Sequence, residues 1–167
     1  TKNWLIKNLK NKSNIVNVEA VKFEKIKTFG LKKYYSNKSQ NILVYLDIDN
    51  NSNIKTLDLL KNIKKKIHIY VKPHPSTSIS KFKTYQKYGN ITFIENEHLP
   101  SRFKFGFIII TNSSSMVFSA HYNRIQYGVF TSADNFKMSP LDGHNRYFHN
   151  LESLENLLNK RKLIKIN

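Results

Sequence analysis

A chain of 167 residues is long enough for one domain with a buried core and too short for two large ones. Its 40% hydrophobic and 13% aromatic content is that of a globular protein, and the absence of cysteine excludes disulfides, thiolate metal sites and a thiol nucleophile. The formal charge of +17 comes mainly from lysine: only four of the 28 basic side chains are arginine, the residue that reads bases bidentately, so the excess reads as a solvated basic surface and not as a nucleic-acid footprint.

Residues 1 to 38 are polar and lysine-rich with weak periodicity, and are expected to be a connector or the remnant of a preceding domain. The chain opens on "TKNWLIK" without a methionine, as a piece of a longer protein would. From residue 39 onward the pattern becomes regular, and 39–167 is expected to form one domain. "NILVYLDID" (41–49) is a short apolar run that predicts a strand followed by a polar "DNNSN" turn. "IKTLDLLKNIKK" (54–65) places Ile54, Leu57, Leu60 and Ile63 at helical intervals. "IHIYVK" (67–72) predicts the next strand, closed by prolines, and "SISKFKTYQKYG" (78–89) a helix stopped by glycine.

Three more strands follow, "ITFIE" (91–95), "FGFIIIT" (105–111) and "IQYGVF" (125–130), the second apolar enough to be buried on both faces. "SSMVFSAHYN" (114–123) predicts a helix with hydroxyl residues at its start, "DGHNRYFHN" a polar surface loop, and "LESLENLLNKRK" (151–162) an amphipathic helix. Strands alternating with helices, the central ones nearly continuous apolar runs, predict an α/β domain with a Rossmann-like parallel sheet flanked by helices.

Ligands of such sheets bind beyond the carboxyl ends of the strands, and the unusual residues of this chain fall there. "KPHPSTS" follows the second strand, "ENEH" the third and "TNSSS" the fourth. Pro73 and Pro75 restrain the backbone around His74, whose imidazole can donate to a phosphate oxygen. Ser113, Ser114 and Ser115 place hydroxyls where a helix is expected to start, a position that serves either as an ordinary cap or as an anion site. Glu95 or Glu97 can accept from ribose hydroxyls, and Lys72 adds a cation beside them.

The ordered set "KPHP" (72–75) and "TNSSSMVFSA" (111–120), with His74 and Ser113 39 residues apart, resembles the nucleotide-binding half of GT-B glycosyltransferases that act on bacterial surface carbohydrates. The similarity covers residues 40 to 130 and is greatest to bacterial sialyltransferases and polysialyltransferases. It implies that His74 and the serines bind the phosphate of a cytidine monophosphate leaving group, with Lys72 and Pro75 beside them. It also implies that Glu97 or Glu95 holds the nucleoside and that no metal is needed. The serine segment also resembles that of glycerophosphotransferases using CDP-glycerol. Two departures are plain: no acidic-acidic-glycine motif precedes residue 40, and "LDGH" (141–144) has the wrong position and a single acid.

The resemblance therefore implies a donor-binding domain that transfers a CMP-activated acidic sugar of the sialic acid type to a glycan or glycolipid acceptor, as in capsule polysaccharide or lipooligosaccharide synthesis. Under this reading His74 is catalytic, and a CDP-glycerol-type or UDP-sugar transferase is the near alternative. "VYLDID" raises a rival, a haloacid-dehalogenase-like phosphatase with Asp47 and Asp49 in its first motif and Thr111 in its second. Against it, Asn51 stands where threonine is usual, and no late acidic pair is present to hold Mg²⁺. The same Asp-x-Asp is compatible with a metal-dependent GT-A transferase, but further ligands are missing. A non-enzymatic basic surface-binding module would explain the charge, yet not why imidazole, hydroxyl and carboxylate groups share one edge. His68, His98, His121, His144 and His149 show no metal-ligand spacing. With no apolar run of the roughly 20 residues that span a bilayer and no signal-peptide pattern, the expected location is the cytoplasm. The basic surface is suited to peripheral contact with anionic lipid at the inner face of the plasma membrane.

Overall fold

The apolar runs become the strands of a single sheet in a computed structural model, which describes residues 30–63, 66–94, 99, 103–111, 114–132 and 146–159. In chain order they are β1 (Ile42–Tyr45), β2 (Ile69–Lys72), β3 (Ile91–Phe93), β4 (Phe107–Thr111), β5 (Tyr127–Phe130) and β6 (Tyr147–Phe148). The sheet order is β3-β2-β1-β4-β5-β6, and every pairing is parallel. Alternate residues of one strand enter opposite layers, as the two-residue period of a strand requires. Ile42 and Val44 of β1 join Phe107 and Ile109 of β4 in one core. Leu43 joins Ile108 and Ile110 in the other. Both faces are thus covered, which is why these runs read as continuously apolar. The fold is the Rossmann-like α/β arrangement that the alternation of elements predicts.

Helix α1 (Asn50–Leu60), α3 (Leu151–Asn159) and a 3-10 segment (Ile79–Tyr88) cover the first core, through Leu57 and Leu60, Leu154 and Leu158, and Phe82. Helix α2 (Met116–Tyr122) covers the second, through Val117 and Ala120. Tyr85 of the 3-10 segment donates its hydroxyl to Asp58 of α1 at 3.1 Å, tying the two elements that share a face. Gly89 ends that segment at φ 74°, a left-handed conformation that glycine adopts without a Cβ penalty.

Several boundaries differ from the sequence-based expectation. Helix α1 starts four residues early, because Asp49 caps it by accepting from the backbone N–H groups of Asn51 and Ser52. Its buried side consequently runs through Asn53, Thr56, Leu57 and Leu60, and Ile54 is left 43% exposed. The segment after β2 is 3-10 and not α-helical, with a single fully buried anchor, Phe82. Tyr147 and Phe148, expected in a polar loop, form the edge strand β6 against Val129 and Phe130, with Phe148 buried. Residues 30–35 pack onto the sheet: Leu31 and Tyr34 are buried, the Tyr34 hydroxyl donates to the Leu99 carbonyl at 2.9 Å, and Tyr35 bridges Phe105 in parallel.

Candidate functional site

Strand β1 has β2 on one side and β4 on the other, and the chain leaves these neighbours toward opposite faces. This reversal of winding opens a crevice at the carboxyl ends of the strands, the place where ligands of open α/β sheets bind. A cavity of about 350 Å³ lies there. Tyr45 and Leu46, at the end of β1, line it; Lys72, Pro73, His74 and Pro75 enter from the end of β2. Ser114, Ser115 and Met116 enter from the start of α2, and Leu31, Lys33 and Tyr34 from the turn preceding β1. The lining is largely apolar and aromatic, with lysine, imidazole and hydroxyl groups among it.

The β2 end is anchored to its neighbour, since the Lys72 carbonyl accepts from Leu46 N–H at 3.0 Å. Directly beyond it, residues 74–77 form a turn closed by Thr77 N–H donating to the His74 carbonyl at 2.8 Å. Within the turn, Nδ1 of His74 accepts from the backbone N–H of Ser76 at 3.2 Å, and the Ser76 hydroxyl lies 2.6 Å from the same nitrogen. His74 is exposed at the edge of the cavity.

On the β4 side the serines divide their tasks. Ser114 N–H donates to the Thr111 carbonyl at 3.1 Å, and Ser114 Oγ accepts from Met116 N–H at 3.3 Å. Ser115 precedes the helix in a helical conformation and makes no side-chain capping bond. The expected helix from 114 to 123 is therefore the shorter Met116–Tyr122, two turns long. Ser114 and Ser115 line the cavity, and the seven-residue helix behind them is too brief to add a strong dipole.

Lys72, His74, Pro75, Ser114 and Ser115, all singled out in the sequence, thus line one cavity although two strand ends separate them. Glu95, Glu97 and Ser113 lie outside the described residues, as do His98, His144 and the "LDGH" segment. Tyr45, Leu46 and Met116 were not anticipated as lining residues. Their signal was position alone, at a strand end or one residue beyond an expected feature. Leu31, Lys33 and Tyr34 carried none, because their place is set by contacts with Leu99 and Phe105, far away in sequence. The Tyr45 hydroxyl is pushed well above its ordinary pKa, first by burial and then by the proximity of Tyr34, so it stays a protonated donor. Lys33 lies over the Tyr34 ring at 4.7 Å, holding a cation at the cavity wall.

The Asp-x-Asp at the end of β1 is engaged locally. Asp49 takes the Ser52 hydroxyl at 2.6 Å besides the two backbone N–H groups it caps, and Asp47 Oδ1 accepts from Ile48 N–H at 2.6 Å. Among the described residues no group of three or more His, Cys, Asp or Glu side chains is placed to hold a metal ion. Among them, too, no helix is long and apolar enough to cross a membrane. No protein-family model matches the chain, and no curated protein matches it.

Proposed function

We propose that this chain is the donor-nucleotide-binding domain of an inverting, metal-independent transferase of the GT-B type, with a CMP-activated acidic sugar as donor. The observation that carries the reading is the convergence of Lys72 and His74 from one strand end with Ser114 and Ser115 from another, in a largely apolar cavity at the switch point of a parallel sheet. An anion-binding rim beside an apolar, tyrosine-lined wall suits a ligand with a phosphate at one end and a planar base at the other. The volume of about 350 Å³ falls within the range of small-molecule sites, roughly 300 to 1,000 Å³, and suits a nucleoside monophosphate.

In this reading an acceptor hydroxyl attacks the anomeric carbon from the face opposite the nucleotide, and the bond from that carbon to the phosphate oxygen breaks. Negative charge grows on the departing phosphate. The imidazole of His74 and the hydroxyls of Ser114 and Ser115, residues that line the cavity, are the donors that stabilise that charge in this reading. Lys72 supplies a compensating positive charge. The base that takes the acceptor proton comes from outside this domain.

Calorimetric titration with CMP, UMP and GMP, repeated on His74→Ala and Ser114→Ala, tests the reading. Selective CMP binding, weakened roughly 10- to 100-fold by each substitution, is the expected result, since a hydrogen bond to a charged phosphate contributes about 1.5 to 3 kcal/mol. Binding indifferent to both substitutions would remove the cavity from consideration as the nucleotide site.

A further inference from the structure

The two contacts on Nδ1 of His74 decide more than the orientation of the ring. A backbone N–H can only donate, so the 3.2 Å contact from Ser76 N–H makes Nδ1 an acceptor. The hydroxyl of the same residue, 2.6 Å away, can rotate to donate as well, sharing the single lone pair of that nitrogen with the N–H. Were Nδ1 protonated instead, its hydrogen would face the Ser76 N–H, a donor against a donor. In the neutral imidazole an acceptor at Nδ1 leaves the proton on Nε2. Pro73 and Pro75 limit the backbone on either side of the histidine, and the Thr77 N–H to His74 carbonyl bond closes the turn that brings residue 76 back onto the ring.

We infer that Ser76 is a positioning residue, which holds His74 as its Nε2–H tautomer and so presents the cavity with a neutral hydrogen-bond donor for a phosphoryl oxygen. The tautomer follows from the backbone N–H contact, the hydroxyl contact being compatible with either; its assignment to a phosphoryl ligand rests on the function proposed above. Ser76 does not line the cavity and acts only through the ring. A donor of this kind binds an anion without adding charge of its own, leaving charge compensation to Lys72 and Lys33, which line the same cavity.

Nitrogen-15 NMR of the histidine side chains distinguishes the tautomers directly. It is run on the wild-type chain, on Ser76→Ala and on Ser76→Thr at about pH 8, above the ordinary imidazole range. His74→Gln assigns the signals. The expected result is a dominant Nε2–H pattern in the wild type. Ser76→Ala keeps the backbone N–H that makes Nδ1 an acceptor and loses only the 2.6 Å hydroxyl contact. Nε2–H should therefore remain the major form there with a larger share of the other tautomer, and Ser76→Thr should restore the wild-type pattern. Parallel CMP titrations should show Ser76→Ala weakened about fivefold, the effect of one ordinary hydrogen bond, and Ser76→Thr close to wild type. A wild-type ring with the proton on Nδ1 overturns the tautomer, and a pattern unmoved by Ser76→Ala overturns the role given to the Ser76 hydroxyl. The NMR readout needs no ligand. A chain that shows the expected tautomer pattern but binds no nucleotide therefore supports the positioning role and counts against the proposed function alone.

Discussion

Asn53 and Asp47 exchange two hydrogen bonds. Asp47 N–H donates to Asn53 Oδ1 at 2.9 Å, and Asn53 Nδ2 donates to the Asp47 carbonyl at 2.7 Å. The fully buried amide thereby serves as a one-residue strand partner and fixes the chain between β1 and α1, immediately beside the cavity wall at Tyr45 and Leu46. Asn53→Ala removes both bonds and leaves an N–H and a carbonyl without partners; the expected cost is about 2 to 4 kcal/mol. Asn53→Asp should cost at least as much, since it keeps the acceptor but buries a carboxylate against the Asp47 carbonyl. Urea unfolding measures both.

Asp49 offers a pH-dependent test. The Ser52 hydroxyl is the largest influence holding its carboxyl below the usual range; burial opposes this, and the N–H groups of Asn51 and Ser52 and the charge of Lys55 add to it. A folded-state value below the unfolded one of about 3.9 means that the cap stabilises the protein above about pH 4, and that this contribution is lost as pH falls through the folded value. Asp49→Ala should cost about 1 kcal/mol at neutral pH. Asp49→Asn keeps an acceptor oxygen without a titrating group, so unfolding curves from about pH 7 to pH 2 should fall less steeply on the acid side than for the wild type.

Gly128 of β5 sits between two buried rings. A Cβ placed on it would stand 3.2 Å from Phe107 Cζ and 3.2 Å from two ring carbons of Phe148. Both rings are packed in the same core and have little room to retreat. Gly128→Ala is expected to destabilise by about 1 to 2 kcal/mol despite the better strand propensity of alanine, and Gly128→Val by more. Thermal unfolding of the two variants, ranked in that order, checks the argument.

Tyr45 tests the cavity from its back wall. Its hydroxyl remains a donor at all ordinary pH values, and removing it leaves the ring packed against the second core. If that hydroxyl meets the ligand, Tyr45→Phe weakens nucleotide binding about fivefold and leaves the unfolding midpoint within a degree or so, because no apolar contact is lost. Calorimetry and a thermal melt on the same sample separate the two effects.

Much of this architecture was readable in one dimension because its signals are local. Short apolar runs rich in β-branched residues, separated by stretches of helical period, specify parallel strands with covered faces, and β1 to β5, three to five residues each, lie where those runs stand. The strand ends could be read too, and with them the edge on which Lys72, His74, Ser114 and Ser115 would fall. A capping aspartate outweighed periodicity at the start of α1, because two backbone N–H groups and a hydroxyl converge on Asp49. The strand at Tyr147–Phe148 has only two residues, too few to show a period, and exists because β5 offers it an edge.

Tertiary structure alone decided that the ends of β2 and β4 flank β1, so that residues some forty positions apart line one cavity. It also decided that the short 3-10 helix at Gly30–Tyr34 closes the side of that cavity. No pattern near Lys33 or Tyr34 announces this. Their place comes from a hydroxyl reaching the Leu99 carbonyl and from a bridge between Tyr35 and Phe105, contacts made between segments about 65 to 70 residues apart. Periodicity records which way a side chain faces within its own element. Which elements become neighbours is settled by how the whole sheet buries its two faces.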